Sequence, residues 1–201
     1  MAPTVTRLRH VRPRWVAVEL DGHSWRTLPA EAVLRAGLSP GVELGRERAA
    51  VLARERRRLA ALGVAGSALV RRELSRAELS ERLQRRNVAP RDRDEALAAL
   101  ARAGLQDDGR VALARAEQLA ARGYGNLAIR ADLEQRGLPG EDIEAALAAL
   151  EPELPRALRF SARGGDGASS RGGVRAAQAL ARRGFGQETV EAFIAADSNS
   201  G

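Results

Sequence analysis

A short helix that stops abruptly and restarts as a second helix occurs three times along this chain, and that recurrence restricts the fold most. The clearest copy is Ser75–Asp108. Ser75 is a favourable N-cap, and Glu78 three residues on completes a capping box. Leu79 and Leu83 stack on one helical face. Asn87 suits the left-handed conformation that ends a helix, with Val88 as the apolar residue behind it. Pro90 opens the next helix near its start, where Ala96, Leu97 and Leu100 form an apolar face, and Gly104-Leu105 closes it. The same pattern returns as Leu127–Arg136 with the stop Gly137-Leu138, and as Val174–Arg183 with Gly184-Phe185, at a period of roughly 50 residues. Leu79 and Leu83 then correspond to Ile129 and Leu133, and to Ala176 and Leu180. In the following helix, Leu97, Leu147 and Ile194 fall at one offset from their stops. A further helix, clearest at Gly109–Arg122, lies between copies, so each repeat holds about three helices whose stacking buries a continuous core.

Residues 1–45 have another texture. Trp15–Leu20 and Ser24–Leu28 read as strands around the turn Asp21-Gly22. Pro29–Ala36 reads as a short helix ended by Gly37, followed by the loop Ser39-Pro40-Gly41. A lone hairpin is marginal in water, so this arm must pack on something, with Trp15 and Trp25 as the expected anchors. The expected fold is mainly α: tandem three-helix repeats in an elongated curved array, with a small arm containing a β-hairpin. The expected divisions are 1–45 for the arm, then repeats at 46–108, 109–154 and 155–196, and a polar tail at 197–201. Gly63 and Gly66 are expected to loosen the chain after Leu62, and Pro152 and Pro155 to break the helix that closes the second repeat. A glycine-rich insert, 163–173, interrupts the third repeat and is expected to be mobile.

The inventory for catalysis is thin. Without cysteine there is no disulfide, no thiolate chemistry and no cysteine-based zinc site. His10 and His23 read as solvated surface residues outside any nucleophile–histidine–acid set. Asp107-Asp108 reads as a helix cap rather than a metal pair. Gly123-Tyr124-Gly125 and the stretch Gly164–Gly173 lack the preceding strand of a phosphate loop. No enzyme, metal or cofactor is therefore expected. No apolar run is long enough to span a bilayer, and Arg7, Arg9, Arg12 and Arg14 precede no apolar segment of a secretory signal, so a cytoplasmic protein without a membrane partner is expected.

Charge carries more information. All 33 basic residues are arginine, and the net charge is +7 with a pI of about 11.3. The guanidinium fork suits phosphate and carboxylate, so an acidic partner follows. Aromatics, at 3%, are too few for a stacking platform that holds single strands on a sheet. Arg85-Arg86, Gln135-Arg136 and Arg182-Arg183 end the middle helix of each repeat; Arg54, Arg56, Arg57, Arg58, Arg71 and Arg72 crowd the first, and Arg122 and Arg130 lie in the second. One reading is cations stabilising helix C-termini, worth about 0.3–1 kcal/mol each. The other is a stripe meeting phosphates or an acidic protein surface, with Arg54, Arg57, Arg58, Arg71, Arg72, Arg85, Arg86, Arg122, Arg130, Arg136, Arg182 and Arg183 as its candidates.

The run Leu69–Leu79, LVRRELSRAEL, followed by Leu83 and Val88, resembles the signature of the RecX family of recombination regulators. So do Gly104–Asp108, Arg110, Arg122-Gly123-Tyr124-Gly125, Ile129, Leu133 and Arg136-Gly137, and in the arm Val18–Gly22 and Gly37-Leu38. Gly109, Val111 and Asn126 depart from that pattern, which usually has glutamate, phenylalanine and proline there. The resemblance implies a modular helical monomer that binds the RecA recombinase filament on single-stranded DNA, inhibits ATP hydrolysis and strand exchange, and so regulates DNA recombination, repair and the SOS response. The alternative is a helical-repeat module that acts directly on DNA or RNA.

Overall fold

The computed structural model describes residues 1–163 and 170–198. The chain opens with β1 (Val5–Arg12), β2 (Trp15–Leu20) and β3 (His23–Pro29), an antiparallel sheet in the order β1-β2-β3. The expected hairpin is β2–β3, turning at Asp21 (φ 50°) and Gly22 (φ 80°). β1 is an addition, because VTRLRHVR carries too little apolar alternation to read as a strand. Val5, Val16, Val18 and Leu28 pack with Ala32 and Val33 of α1 (Ala30–Arg35), then Ala36, Leu38, Leu44 and Leu52 of α2 (Arg46–Leu69). This aliphatic core supplies the packing that a hairpin needs. Neither tryptophan belongs to it: Trp15 is half-buried and Trp25 is 37% exposed at a bulge.

Helix α2 runs unbroken through Gly63 and Gly66. Glycine lowers helix propensity by about 1 kcal/mol yet keeps its backbone donor, and the buried Ala61, Ala65 and Ala68 hold this stretch in place. Helix α3 (Arg76–Arg85) begins at the expected capping box: Glu78 N donates to Ser75 Oγ at 3.0 Å, and Ser75 N to Glu78 Oε2 at 2.9 Å. Asn87 stops the turn at φ 57°. Helix α4 (Pro90–Arg102) packs on α2, burying Ala96, Leu97 and Leu100. Apart from the first turn of α3, these elements form one compact unit, residues 1–71 and 80–103.

Residues 72–79 and 104 onward form the second unit. It contains α5 (Asp108–Ala121), α6 (Asn126–Gln135), α7 (Gly140–Ala149), α8 (Glu153–Arg163), α9 (Ser170–Arg182) and α10 (Gln187–Ser198). Val111, Ala116, Leu119, Ile129, Leu133 and Ile143 centre one core; Ala157, Leu180, Phe185 and Phe193 centre another. The expected offset in the closing helix is displaced by one residue. Leu97 is buried, but Leu147 is half-buried and Ile194 is 43% exposed, whereas Ala96, Ala146 and Phe193 are all buried. Adjacent helical positions differ by only about 100° in direction, and the larger side chain is not always the inward one. The helix that closes the second repeat, α7, ends at Ala149, just before Pro152, while Pro155 lies in the first turn of α8, where a missing N–H goes unused. Ser170–Gly173 of the expected insert are helical, within α9, while 164–169 lie outside the described residues, as do 199–201 of the tail.

A single joint is used twice in this unit. Gly137, at φ 66°, ends α6 so close to α3 that a Cβ there would sit 2.6 Å from Ala77 Cβ. Ser75 Oγ donates to the Arg136 carbonyl at 2.6 Å, and Asp108 accepts Arg76 N at 2.8 Å. One repeat further on, Gly184, at φ 77°, ends α9 with the same intimacy toward Ala128, 2.5 Å from an added Cβ. Gly125 N and Leu127 N donate to the carbonyls of Arg183 and Gly184, each at 2.9 Å, and Glu153 accepts Asn126 N. Gly137→Ala and Gly184→Ala should each cost about 2–4 kcal/mol, combining left-handed strain with overpacking. Gly104→Ala, at φ 66° with open space around it, should cost only about 1–2 kcal/mol. Denaturant unfolding of the three variants checks the difference.

Candidate functional site

The twelve candidate arginines separate into three classes. Arg54, Arg57, Arg72 and Arg85 are exposed and paired with Glu95, Asp92, Glu78 and Glu81 at 2.7, 3.0, 3.5 and 3.3 Å. Arg130 of α6 forks onto Glu144 of α7. A second class is absorbed into the fold. Arg58 binds Glu55 and Glu31 at 2.9 and 2.5 Å, joining α2 to α1. Arg136 donates to Glu78 at 3.1 Å and to Asp132 at 3.0 Å. Arg183 donates to the Arg122 carbonyl at 2.8 Å while its guanidinium lies 4.8 Å from the Phe160 ring centre and 5.2 Å from that of Tyr124. The third class, Arg71, Arg86, Arg122 and Arg182, is exposed and forms no ion pair among the described residues.

This sorting follows the repeat. Arg86, Arg136 and Arg183 occupy the same place before their stops, and the latter two sit at joints between helices far apart in sequence. The neighbouring row, Arg85, Gln135 and Arg182, is exposed throughout and is interrupted by glutamine. The recurring arginine at the helix end therefore serves two purposes: Arg136 and Arg183 are taken up at joints, whereas Arg86 and, in the neighbouring row, Arg182 stay exposed without an ion pair among the described residues.

Several contributors are invisible in the sequence pattern. Arg115 donates to both oxygens of Asp132, at 2.9 and 2.6 Å, and so completes the Glu78–Arg136–Asp132 chain. Hydrogen bonds from Arg115, and then from Arg136, hold the Asp132 carboxyl below its ordinary range despite partial burial. Arg156 is buried and donates to the carbonyls of Glu151 and Tyr124, at 3.0 and 3.1 Å, and to the Asn126 side chain. Burial lowers its pKa from the usual guanidinium value. Asn126, where the resemblance leads one to expect proline, uses both its N–H and its side-chain oxygen here; proline has neither.

Asp107 accepts Arg110 N at 3.0 Å, a helix cap as expected, and His10 and His23 are exposed. Among the described residues no cluster of histidine, aspartate or glutamate could hold a metal ion, and no helix is long and apolar enough to cross a membrane.

Comparisons with known proteins fit this arrangement. Residues 107–147 match the family profile described as RecX, second three-helix domain. Regulatory protein RecX of Xanthomonas axonopodis pv. citri is 43% identical over 130 residues, which span 62% of this chain and 79% of that protein. The chain belongs to the RecX family. Regulatory protein RecX of Stenotrophomonas maltophilia is 39% identical over 128 residues, spanning 61% of this chain and 77% of that one. A crystal structure of regulatory protein RecX superposes with a TM-score of 0.79 at 20% identity, covering 94% of this chain and 97% of that one. RecX from Lactobacillus salivarius gives 0.64 at 17% identity, covering 71% and 97%. The RecX fold thus extends well beyond the stretch whose sequence is recognisable.

The network around Asp132 makes a prediction. Its folded-state pKa lies below the ordinary 3.8, so its stabilisation is present above that value and is lost as pH falls through the folded one. Asp132→Asn should lower unfolding free energy at neutral pH by about 1–2 kcal/mol. The gap to the unmodified protein should close below about pH 4, as read by urea titrations across pH.

Proposed function

We propose that this RecX-family chain is a non-catalytic regulator of homologous recombination and DNA repair. It binds the RecA filament on single-stranded DNA and inhibits ATP hydrolysis and strand exchange, acting as a cytoplasmic monomer. The supporting observation is family membership combined with a repeated helical scaffold whose surplus cations face outward. Its working modules are 46–108, 109–154 and 155–196, with 1–45 as an N-terminal arm whose core is shared with α2.

Within the candidate set, Arg71, Arg86, Arg122 and Arg182 carry the contact. Arg54, Arg57, Arg72 and Arg85, all exposed, and the half-buried Arg130 are partners in ion pairs worth about 0–1 kcal/mol, so they can exchange a carboxylate for a phosphate at little cost. Arg58, Arg136 and Arg183 hold the scaffold and orient the rest. The second reading, a module acting directly on DNA or RNA, rests on the net charge of +7.

The test is RecA ATPase and strand exchange on single-stranded DNA with the full chain added. Suppression at concentrations near or below that of RecA is expected. Replacing Arg71, Arg86, Arg122 and Arg182 together with alanine should raise the concentration needed by about tenfold or more. No effect of excess unmodified protein on either assay would overturn the filament reading. Tight binding to bare strands with RecA unaffected would establish the second one.

A further inference from the structure

The helical arginines leave one basic surface unexplained. It lies in the N-terminal sheet, whose inner face is packed and whose outer face is open. Residues paired directly across a ladder share a face. Leu8 pairs with Val18 on the core side; Arg9 pairs with Ala17, and Ala17 with Thr27, on the other. Arg7 pairs with Glu19, and Arg12 with Trp15, also on the outer side.

Strict alternation would not give this result. Arg12 has the same parity as Leu8 and Val5 the same parity as Arg7, so a regular strand would turn Arg12 inward and Val5 outward. Register shifts between Val5 and Arg7, and between His10 and Arg12, correct both. Val5 is buried, while Arg7, Arg9 and Arg12 are exposed and share one face. Arg7 and Arg9 share this face by ordinary alternation, and the shift before Arg12 adds a third cation to it, while the shift after Val5 turns that residue into the core. Among the described residues no carboxylate pairs with any of them, although Glu19 lies across from Arg7.

From this we infer that the outer face of the sheet is a docking surface for a single nucleic-acid strand held by its phosphates. The charge is complementary to such a strand. Side chains two apart on a strand are about 6.6–6.8 Å apart, the scale of successive phosphates in an extended chain. The centre of the face, Ala17 and Thr27, is small enough for a backbone to approach. The Arg12 guanidinium lies over the Trp15 ring, 4.6 Å from its centre, a cation–π pair beside which one base can rest while the N–H groups meet phosphate. A single stacking point means that charge dominates and sequence preference is weak. This surface contains none of the helical candidates, and the inference does not depend on the filament reading.

The experiment is anisotropy of labelled oligothymidylate and oligouridylate titrated with the full chain, without RecA, at salt from about 50 to 200 mM. The triple variant Arg7→Gln, Arg9→Gln, Arg12→Gln should bind at least ~10-fold more weakly at low salt. Its log–log salt slope should be shallower by roughly 2, at about 0.7 per phosphate contact. A control removing three exposed arginines of α2 that form no ion pair among the described residues (Arg46→Gln, Arg48→Gln, Arg56→Gln) should move neither by more than about twofold. Thr27→Glu, which leaves all three sheet arginines in place, should weaken binding if the triple variant fails to fold. Equal losses on the two oligonucleotides assign the contact to phosphate; a loss confined to one assigns it to the DNA or RNA backbone specifically. Unchanged affinity and slope in the sheet variants, or an equal loss in the α2 control, would overturn the inference, as would a sheet variant impaired only toward an acidic protein.

Discussion

The close approach of a helix N-terminus to a glycine-ended helix from the next repeat is the contact on which the second unit depends. At Gly137 and Gly184 the backbone must be left-handed and must also admit Ala77 or Ala128 within van der Waals range. Only glycine meets both demands at once. The geometry also settles where the unpaired groups of both helix ends go. The N–H groups of Arg76 and Asn126 reach Asp108 and Glu153, acids in the first turns of α5 and α8, and the last carbonyls of α6 and α9 accept from the helix that docks on them. Hydrophobic burial gives each repeat a core, but these hydrogen bonds and close contacts specify how one repeat meets the next.

That joint also decides the fate of the arginines. A cation at a helix end can interact with the carbonyl dipole, pair with an acid, or remain in water. Arg136 and Arg183 follow the first two routes because a neighbouring helix brings Glu78, or the rings of Tyr124 and Phe160, within reach. Arg86, at the same repeat position, has no ion-pair partner among the described residues and is exposed. A chain with this excess of arginine thus divides its cations between internal adhesive and outward surface, and the tally of charge alone says nothing about that division. The N-terminal sheet solves a similar problem by other means, using bulges rather than partners to set which side a residue takes.

Membership in the RecX family is secured by relatives of about 40% identity, and the agreement with solved RecX structures persists at 20%. The local departures are internally compensated: Asn126 is tied to Glu153 and Arg156, and Gly109 leaves room beside the Asp142 carboxylate, 3.2 Å from where its Cβ would be.

The sequence by itself determined the elements whose causes are local. The capping box at Ser75, the stops at Asn87, Gly137 and Gly184, the Asp21-Gly22 turn and the buried pairs Leu79/Leu83 and Ile129/Leu133 all depend on residues a few positions apart. β1 was not legible, because its bulges break the alternation that reveals strands; nor was the continuity of α2, the helical start of α9, or the one-residue offset that buries Phe193 in place of Ile194. Tertiary structure alone decided which arginines are occupied. Arg136 meets Glu78 across 58 positions of sequence, and Arg183 meets the Arg122 carbonyl across 61. Helical periodicity fixes the direction a side chain takes from its own axis, but the partner waiting there belongs to another helix, and only packing brings it into range.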